Sequence, residues 1–290
     1  VITGMMRRSD RDEFTDTVAL GLIPLGKQNS VLSELLSCNL NKKLVKAAIM
    51  KSTMALIQEH NRHCDVLEIE STEGKRPVYA LSGLWFGSLR DAQEKCKKYW
   101  YLGGLKKYGG FISNAIRGKT ESHSVQLEYL EPCSGCANCF VEEKVVTPVN
   151  TRWWHSFIKR PNVVQGRKLK PDFVNRSCGD LHHDSFETIS FRIHVLPWKN
   201  FSSDNPAFVI TKGSEDNRRS TFIKEGSKLA RGLLEQVDKY QYARQATVGP
   251  PPDNENLWYF IDNEAFEARD AKFTLLSKRV RLCLPTSITS

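Results

Sequence analysis

No uninterrupted apolar run in the sequence comes near the 18 or so residues that a bilayer-crossing helix needs, so no membrane-spanning helix is expected. No basic-then-apolar leader opens the chain, which leaves its address open. Acidic residues are in short supply, with 33 Asp and Glu against 42 Lys and Arg, and the resulting formal charge of +9 suits an anionic partner. A nucleic acid, an anionic membrane surface and a phosphate-bearing ligand all meet that description, but no RNA- or DNA-binding motif is present and nucleic acid is set aside. There is no internal repeat. Eight cysteines in 290 residues are too few for a disulfide scaffold, so their clustering matters more than their number.

What is present suffices for a buried core: 40% of residues are hydrophobic and 26% charged, over a length that favours two domains or one large one. The opening Val1-Ile2-Thr3-Gly4-Met5-Met6 has no polar lead-in and reads as the inside of an element, hence as part of a longer chain. Up to Cys64 the pattern is α/β, with a helix end at residues 1–8, a strand at 19–23 and a helix at 42–59 in which Val45, Ala48, Ile49 and Leu56 recur at helical spacing. The periodicity then changes. Residues 66–70 and 78–81 flank a turn at Gly74 as a β-hairpin, and alternation at 189–195 and 280–284 marks half-buried strands.

The expected fold class is therefore α+β: the remainder of an α/β nucleotide-binding domain over residues 1–64, then an antiparallel β-sandwich over 65–290. A stretch of low periodicity rich in Cys, Pro, Trp, Lys and Arg, about 132–185, reads as an insertion.

Three local patterns carry chemistry. The strand end Leu22-Ile23-Pro24-Leu25-Gly26 runs into Lys27-Gln28-Asn29-Ser30, where a sharp turn can gather free N–H groups and polar side chains around an anion. Lys98-Tyr99-Trp100-Tyr101-Leu102 through Tyr108, and Arg152-Trp153-Trp154 through Arg160, mix aromatic and basic residues as lipid-headgroup surfaces do. For the first, the expected arrangement is an aromatic anchor packed on the sandwich with its cations in water. Finally, Cys133, Cys136 and Cys139 at C-x₂-C-x₂-C spacing can converge on one Zn²⁺, with Cys178, His182 or His183 as fourth ligand; a disulfide plus a spare thiol is the competitor.

Four segments in order, 22–29, 81–91 (Leu81-Ser82-Gly83-Leu84-Trp85-Phe86-Gly87-Ser88-Leu89-Arg90-Asp91), 98–106 and 259–265 (Tyr259-Phe260-Ile261-Asp262-Asn263-Glu264-Ala265), resemble the mitochondrial acylglycerol kinases of the diacylglycerol kinase and sphingosine kinase superfamily. The resemblance runs from the first residue to about Pro285 and is weakest across the Cys-rich stretch. It implies ATP and Mg²⁺ as cofactors, an acylglycerol lipid as substrate, an anionic membrane surface as platform, and a peripheral place at the mitochondrial inner membrane or intermembrane space. It also implies a non-catalytic alternative, a subunit of the inner-membrane carrier translocase.

The family's Gly-Gly-Asp-Gly-Thr loop, which lies along the nucleotide phosphates just before the point where this chain begins, is not in the sequence, so the chain alone is expected to bind ATP poorly. By the same resemblance Gly26, Lys27 and Asn29 form the second wall of the nucleotide site, with Lys27 where a Thr is common. Asp262 and Glu264 stand where related lipid kinases carry Asp-Gly-Glu and are the expected catalytic carboxylates. On an extended segment, residues two apart face the same way, so both would point into one cleft. Asp65 matches a position near the lipid headgroup or is simply a domain-junction cap, while Arg90 and Asp91 match the substrate side of the cleft or pair with each other.

Overall fold

The computed structural model describes residues 1–26, 29–36, 42–133, 136–139, 173–195, 206–233, 237–249 and 257–285. The turn residue Lys27 and the aromatic-basic stretch 152–160 lie outside them. In chain order the elements are α1 (Ile2–Met6), α2 (Arg11–Thr17), β1 (Ala19–Gly21), α3 (Ser30–Leu35), α4 (Lys42–Ile57), β2 (Asn61–Ser71), β3 (Val78–Ala80) and β4 (Gly83–Phe86). There follow α5 (Ser88–Lys95), a 3₁₀ segment (Cys96–Leu105), α6 (Lys106–Ile116), β5 (His123–Leu130), β6 (Leu181–Thr188), β7 (Phe191–Val195) and β8 (Phe208–Gly213). The chain ends with α7 (Arg219–Ala230), β9 (Val237–Ala243), β10 (Gln245–Gly249), β11 (Trp258–Ile261), β12 (Glu264–Glu267) and β13 (Ala271–Cys283).

Two sheets form the expected sandwich. The first runs β3-β2-β13-β10-β5-β6 with β1 added beside β13, and the second runs β12-β11-β4-β7-β8-β9. Period-2 alternation sorts the side chains: Leu67, Ile69, Val125, Leu127 and Phe273 from the first sheet meet Leu84, Phe86, Phe191, Ile193 and Ile210 from the second in one core. The other face of β2 and β13 presents Cys64, Val66, Val280 and Leu282 to Met6, Leu32, Leu35 and Ala48 of the N-terminal helices, making a second core.

The expected junction at 64/65 thus falls inside β2, whose two faces serve different layers. The tail of β13 returns to the N-terminal layer, where it pairs in parallel with β1. Among the described residues this is all the parallel pairing the N-terminal part has. Its helices pack on the large sheet and do not build a doubly wound sheet of their own.

The expectation of a mostly stranded C-terminal part is corrected by α5, α6 and α7. These pack together through Leu89, Ala92, Phe111, Ala115 and Phe222 beside Ile189. The sharp start of α5 depends on Gly87, whose φ of +118° and a would-be Cβ 2.6 Å from the Ile189 carbonyl oxygen admit no side chain. Across β13, a bulge between Leu276 and Val280 shifts the register.

Candidate functional site at the outer face of the second sheet

Along β4 and β7 the residues that alternate with the core point outward, and cross-strand pairing lines them up. Phe260 is opposite Trp85, Trp85 opposite Arg192, and Arg192 opposite Thr211. The Arg192 guanidinium carbon sits 3.5 Å from the Trp85 ring centroid, and that of Arg90, reaching in from α5, lies 3.9 Å from Phe260 and 5.4 Å from Trp85. Cations on ring faces are held by the aromatic quadrupole, and more strongly where water is excluded. Arg90 is only 4% exposed, and burial lowers its pKa despite the Glu94 carboxylate that accepts from its Nη1 at 3.2 Å.

Over this row lies a cavity of about 260 Å³, lined also by Ser82, Gly83, His194, Asp262, Asn263 and, from the N-terminal layer, Glu34 on α3. Desolvation by the surrounding protein pushes the Glu34 carboxyl above its ordinary value; Arg192 opposes the rise, the Asp262 charge adds to it, and a hydrogen bond from Ser82 opposes it again. Burial drives His194 down to about 4, with Arg192 helping, so its imidazole is neutral at physiological pH.

Asp262 is engaged on all sides. Its Oδ1 accepts from the Ser82 N–H (2.8 Å), the Ser82 hydroxyl (2.6 Å) and the Gly83 N–H (3.3 Å), and its Oδ2 accepts from the Leu81 N–H (2.9 Å). In return its own N–H donates to the Gly83 carbonyl oxygen at 3.1 Å. The loop it grips needs Gly83, where φ is +132° and a Cβ would fall 2.0 Å from the Ile193 carbonyl oxygen.

The extended geometry expected for 262–264 is corrected. Ile261 pairs with Glu264 across a two-residue turn in which Asp262 and Asn263 both have positive φ, +47° and +69°. Asp262 therefore faces the loop beneath it, while Glu264 opens β12 exposed, is not among the residues lining the cavity, and makes no side-chain hydrogen bond or ion pair with the described residues.

The other expected residues scatter. The Asn29 amide donates to the Gly26 carbonyl oxygen at 3.0 Å, closing the turn upon itself just before α3. Asp65 caps the β13 bulge: its Oδ1 accepts from the Lys278 N–H at 2.8 Å, Lys278 has φ +54°, and burial raises the Asp65 pKa. Its Oδ2 is buried with no hydrogen-bond partner among the described residues, and the residue is not among those lining the cavity. Arg90 bonds Glu94 and not Asp91. Burial pushes Asp91 up to about 6, against the pull of Lys95 and Arg90.

The four cysteines do converge, with the sulfurs of Cys133, Cys136, Cys139 and Cys178 all within 4.8 Å of one another, a cluster able to coordinate a metal ion. His182 and His183 lie instead beside Glu131 and Glu128.

The family described as "Acylglycerol kinase C-terminal" matches residues 81–288. The chain belongs to the acylglycerol kinase family. Mitochondrial acylglycerol kinase of Homo sapiens is 35% identical over 97% of this chain, and that of Mus musculus 29% identical over 97%. In both cases the chain spans 65% of the relative's length. A solved structure of a putative diacylglycerol kinase from Bacillus anthracis str. Sterne aligns loosely, at TM-score 0.48 and 14% identity over 93% of this chain and 70% of that one.

Residues 81–288, the span of that C-terminal family, contain β4, α5, β7 and the β11–β12 turn, so Arg90, Arg192 and Asp262 fall within it and Glu34 does not. Sequence reasoning missed Glu34, Arg192 and His194 as site residues. The alternation over Phe191–Val195 put Arg192 and His194 on one face of the strand but gave no sign that this face lines a cavity.

Proposed function

We propose that this chain is the lipid-accepting part of an ATP-dependent acylglycerol kinase, which transfers the γ-phosphate of ATP to a hydroxyl of a mono- or diacylglycerol. The observation that carries the reading is one recess holding two guanidinium groups, carboxylates and aromatic faces together. Phosphoryl transfer is largely positioning and charge stabilisation, and it draws on these groups.

Arg192 and Arg90 offer charge-assisted hydrogen bonds to phosphate oxygens. Trp85 and Phe260 supply apolar walls for the glyceryl end of the lipid. Asp262 is a positioning residue: three accepted hydrogen bonds saturate its Oδ1, a fourth falls on Oδ2, and the charge locks the Leu81–Gly83 loop under the cavity. Glu264, unencumbered beside the cavity-lining Asn263, is the carboxylate free to take the acceptor hydroxyl's proton. Hard oxygen ligands suit Mg²⁺, and Glu34 and the remaining Oδ2 lone pair of Asp262 are the ones the recess offers. When bound, the ion neutralises phosphate charge. The turn at Gly26 to Asn29, with Lys27, forms one wall of the nucleotide site, and the other wall belongs to the longer protein.

The lipid comes from a membrane, and the 3₁₀ segment with α6 supplies the surface to meet it. Trp100 is 77% exposed, Tyr101 64%, Leu105 67% and Ile116 73%, which corrects the expectation that this stretch packs on the sandwich. Exposed Lys97, Lys98, Lys106, Lys107 and Arg117 surround them. Aromatic and aliphatic side chains ringed by cations are what an anionic lipid surface binds. Among the described residues no helix is long and apolar enough to cross a membrane. The reading places the protein peripherally at the inner mitochondrial membrane, in keeping with the mitochondrial relatives.

In the full-length protein, Glu264→Gln is expected to lower monoacylglycerol phosphorylation about 100-fold or more, the usual range for removing a general base. The melting temperature should not change, because the exposed carboxylate bonds nothing. Turnover equal to that of the unsubstituted protein would overturn the role given to Glu264.

A further inference from the structure

We infer that Cys133, Cys136, Cys139 and Cys178 form a structural Zn²⁺ tetrathiolate clip that closes the base of the segment between β5 and β6. The inference is independent of the kinase reading. In a zinc tetrathiolate the Zn–S distance of about 2.3 Å sets a sulfur–sulfur edge of roughly 3.8 Å in a tetrahedron. The Cys136 and Cys139 sulfurs are 3.7 Å apart, and all four lie within 4.8 Å of one another, so the cluster needs only a small contraction to take the ion. A disulfide would bring one pair to about 2.05 Å and give the other two sulfurs no reason to converge.

The surroundings are built for thiolates. The Cys139 N–H donates to the Cys136 carbonyl oxygen at 3.2 Å, the Cys178 N–H to that of Asn175 at 3.2 Å, and the Ala137 N–H to that of Phe173 at 2.8 Å. Two short turns, one from each limb, are thereby tied together with their sulfurs facing. The Cys136 sulfur is buried, and the Asn175 amide donates to the Cys133 sulfur at 3.8 Å. Such a donor helps offset the net −2 charge of a Zn²⁺ ion with four thiolates. Binding converts four thiols to thiolates and releases four protons, with no change in oxidation state.

The clip has a definite place. Leu130 at the end of β5 pairs with Leu181 at the start of β6, and Cys133 and Cys178 lie three residues beyond these two positions. The ion would pin residues 133–139 to residues 173–178 beside the end of the β5–β6 pair.

The test is metal analysis of the purified full-length protein, followed by Co²⁺ substitution. One zinc per chain is expected, retained through dialysis against a chelator, with cobalt giving the intense thiolate charge-transfer and tetrahedral ligand-field bands of a four-sulfur site. Cys136→Ser should lose the zinc, and Cys96→Ser, which alters a thiol outside the cluster, should keep it. Should the Cys136 variant fail to fold, the cobalt spectrum of the unsubstituted protein still decides. Absence of zinc with these thiols paired in non-reducing mass spectrometry, or a cobalt spectrum with fewer than four sulfur ligands, would overturn the inference.

Discussion

Trp85 and Trp100 stand close in sequence, each among aromatic neighbours and cations, and the fold uses them in opposite ways. At Trp85 the indole N–H donates to the Ser190 hydroxyl at 2.9 Å and the cations lie on ring faces, with Arg90 almost wholly buried. At Trp100 the ring is in the open, meets Tyr101 edge-on at 6.2 Å, and the lysines around it are exposed. Strand alternation accounts for the first, since β4 and β7 are hydrogen-bonded neighbours and must place Trp85 opposite Arg192. The second follows from helical geometry: α6 turns Gly110, Phe111, Asn114 and Ala115 inward against the end of α5, while Ile112 and Ile116, three and seven residues after Gly109, share with it the outward face beside Tyr99. The same residue types thus line a cavity where they are enclosed and stand in solvent where they are not.

The contrast can be broken first by truncation. Trp85→Ala removes a packed ring that supports two guanidinium groups and should cost about 3 kcal/mol or more in chemical denaturation. Trp100→Ala should change stability by no more than about 0.5 kcal/mol. Equal losses would mean that the two tryptophans are not in different environments.

A smaller effect sharpens the comparison through α5, the helix that joins the two regions. Asp91 on its buried side has a pKa raised to about 6 from 3.8. Between those values the folded protein keeps a proton that the unfolded chain has released. Its contribution to stability is complete below about pH 4 and is lost as the pH rises through 6. Asp91→Asn should therefore be more stable than the unsubstituted protein at pH 7–8, by on the order of 1–3 kcal/mol, and no different near pH 3.5. A variant equally stable at every pH would place Asp91 in water.

How much of this was legible in the sequence follows from the range of the interactions. The sandwich was, because period-2 alternation is local and the hairpin at residues 66–81 announces itself; β2 and β3 pair with Leu67 opposite Ala80. The cysteine clip was legible as three thiols, and the choice of Cys178 over His182 or His183 needed the β5–β6 pairing that carries the histidines toward Glu131 and Glu128. Glu34 was not legible. Nothing in a glutamate on a short helix indicates that β7 will bring Arg192 to it from far along the chain. Nor was the turn at 262–263, because Asp-Asn between two strands was read as extended when both residues favour the left-handed region.

The proposal to be tested is that the cavity and its rim do the chemistry and the exposed aromatic-basic stretch brings them to the lipid. One experiment separates them: phosphorylation by the full-length protein of a soluble short-chain monoacylglycerol, and of the same headgroup in vesicles of phosphatidylcholine with an anionic lipid. Replacing Lys97, Lys98, Lys106 and Lys107 by Gln should lower turnover on vesicles by on the order of 10²–10³-fold, at about 1 kcal/mol per lysine near the surface, and leave turnover on the soluble substrate unchanged. Unchanged activity on vesicles, or a parallel loss on both substrates, would contradict the account.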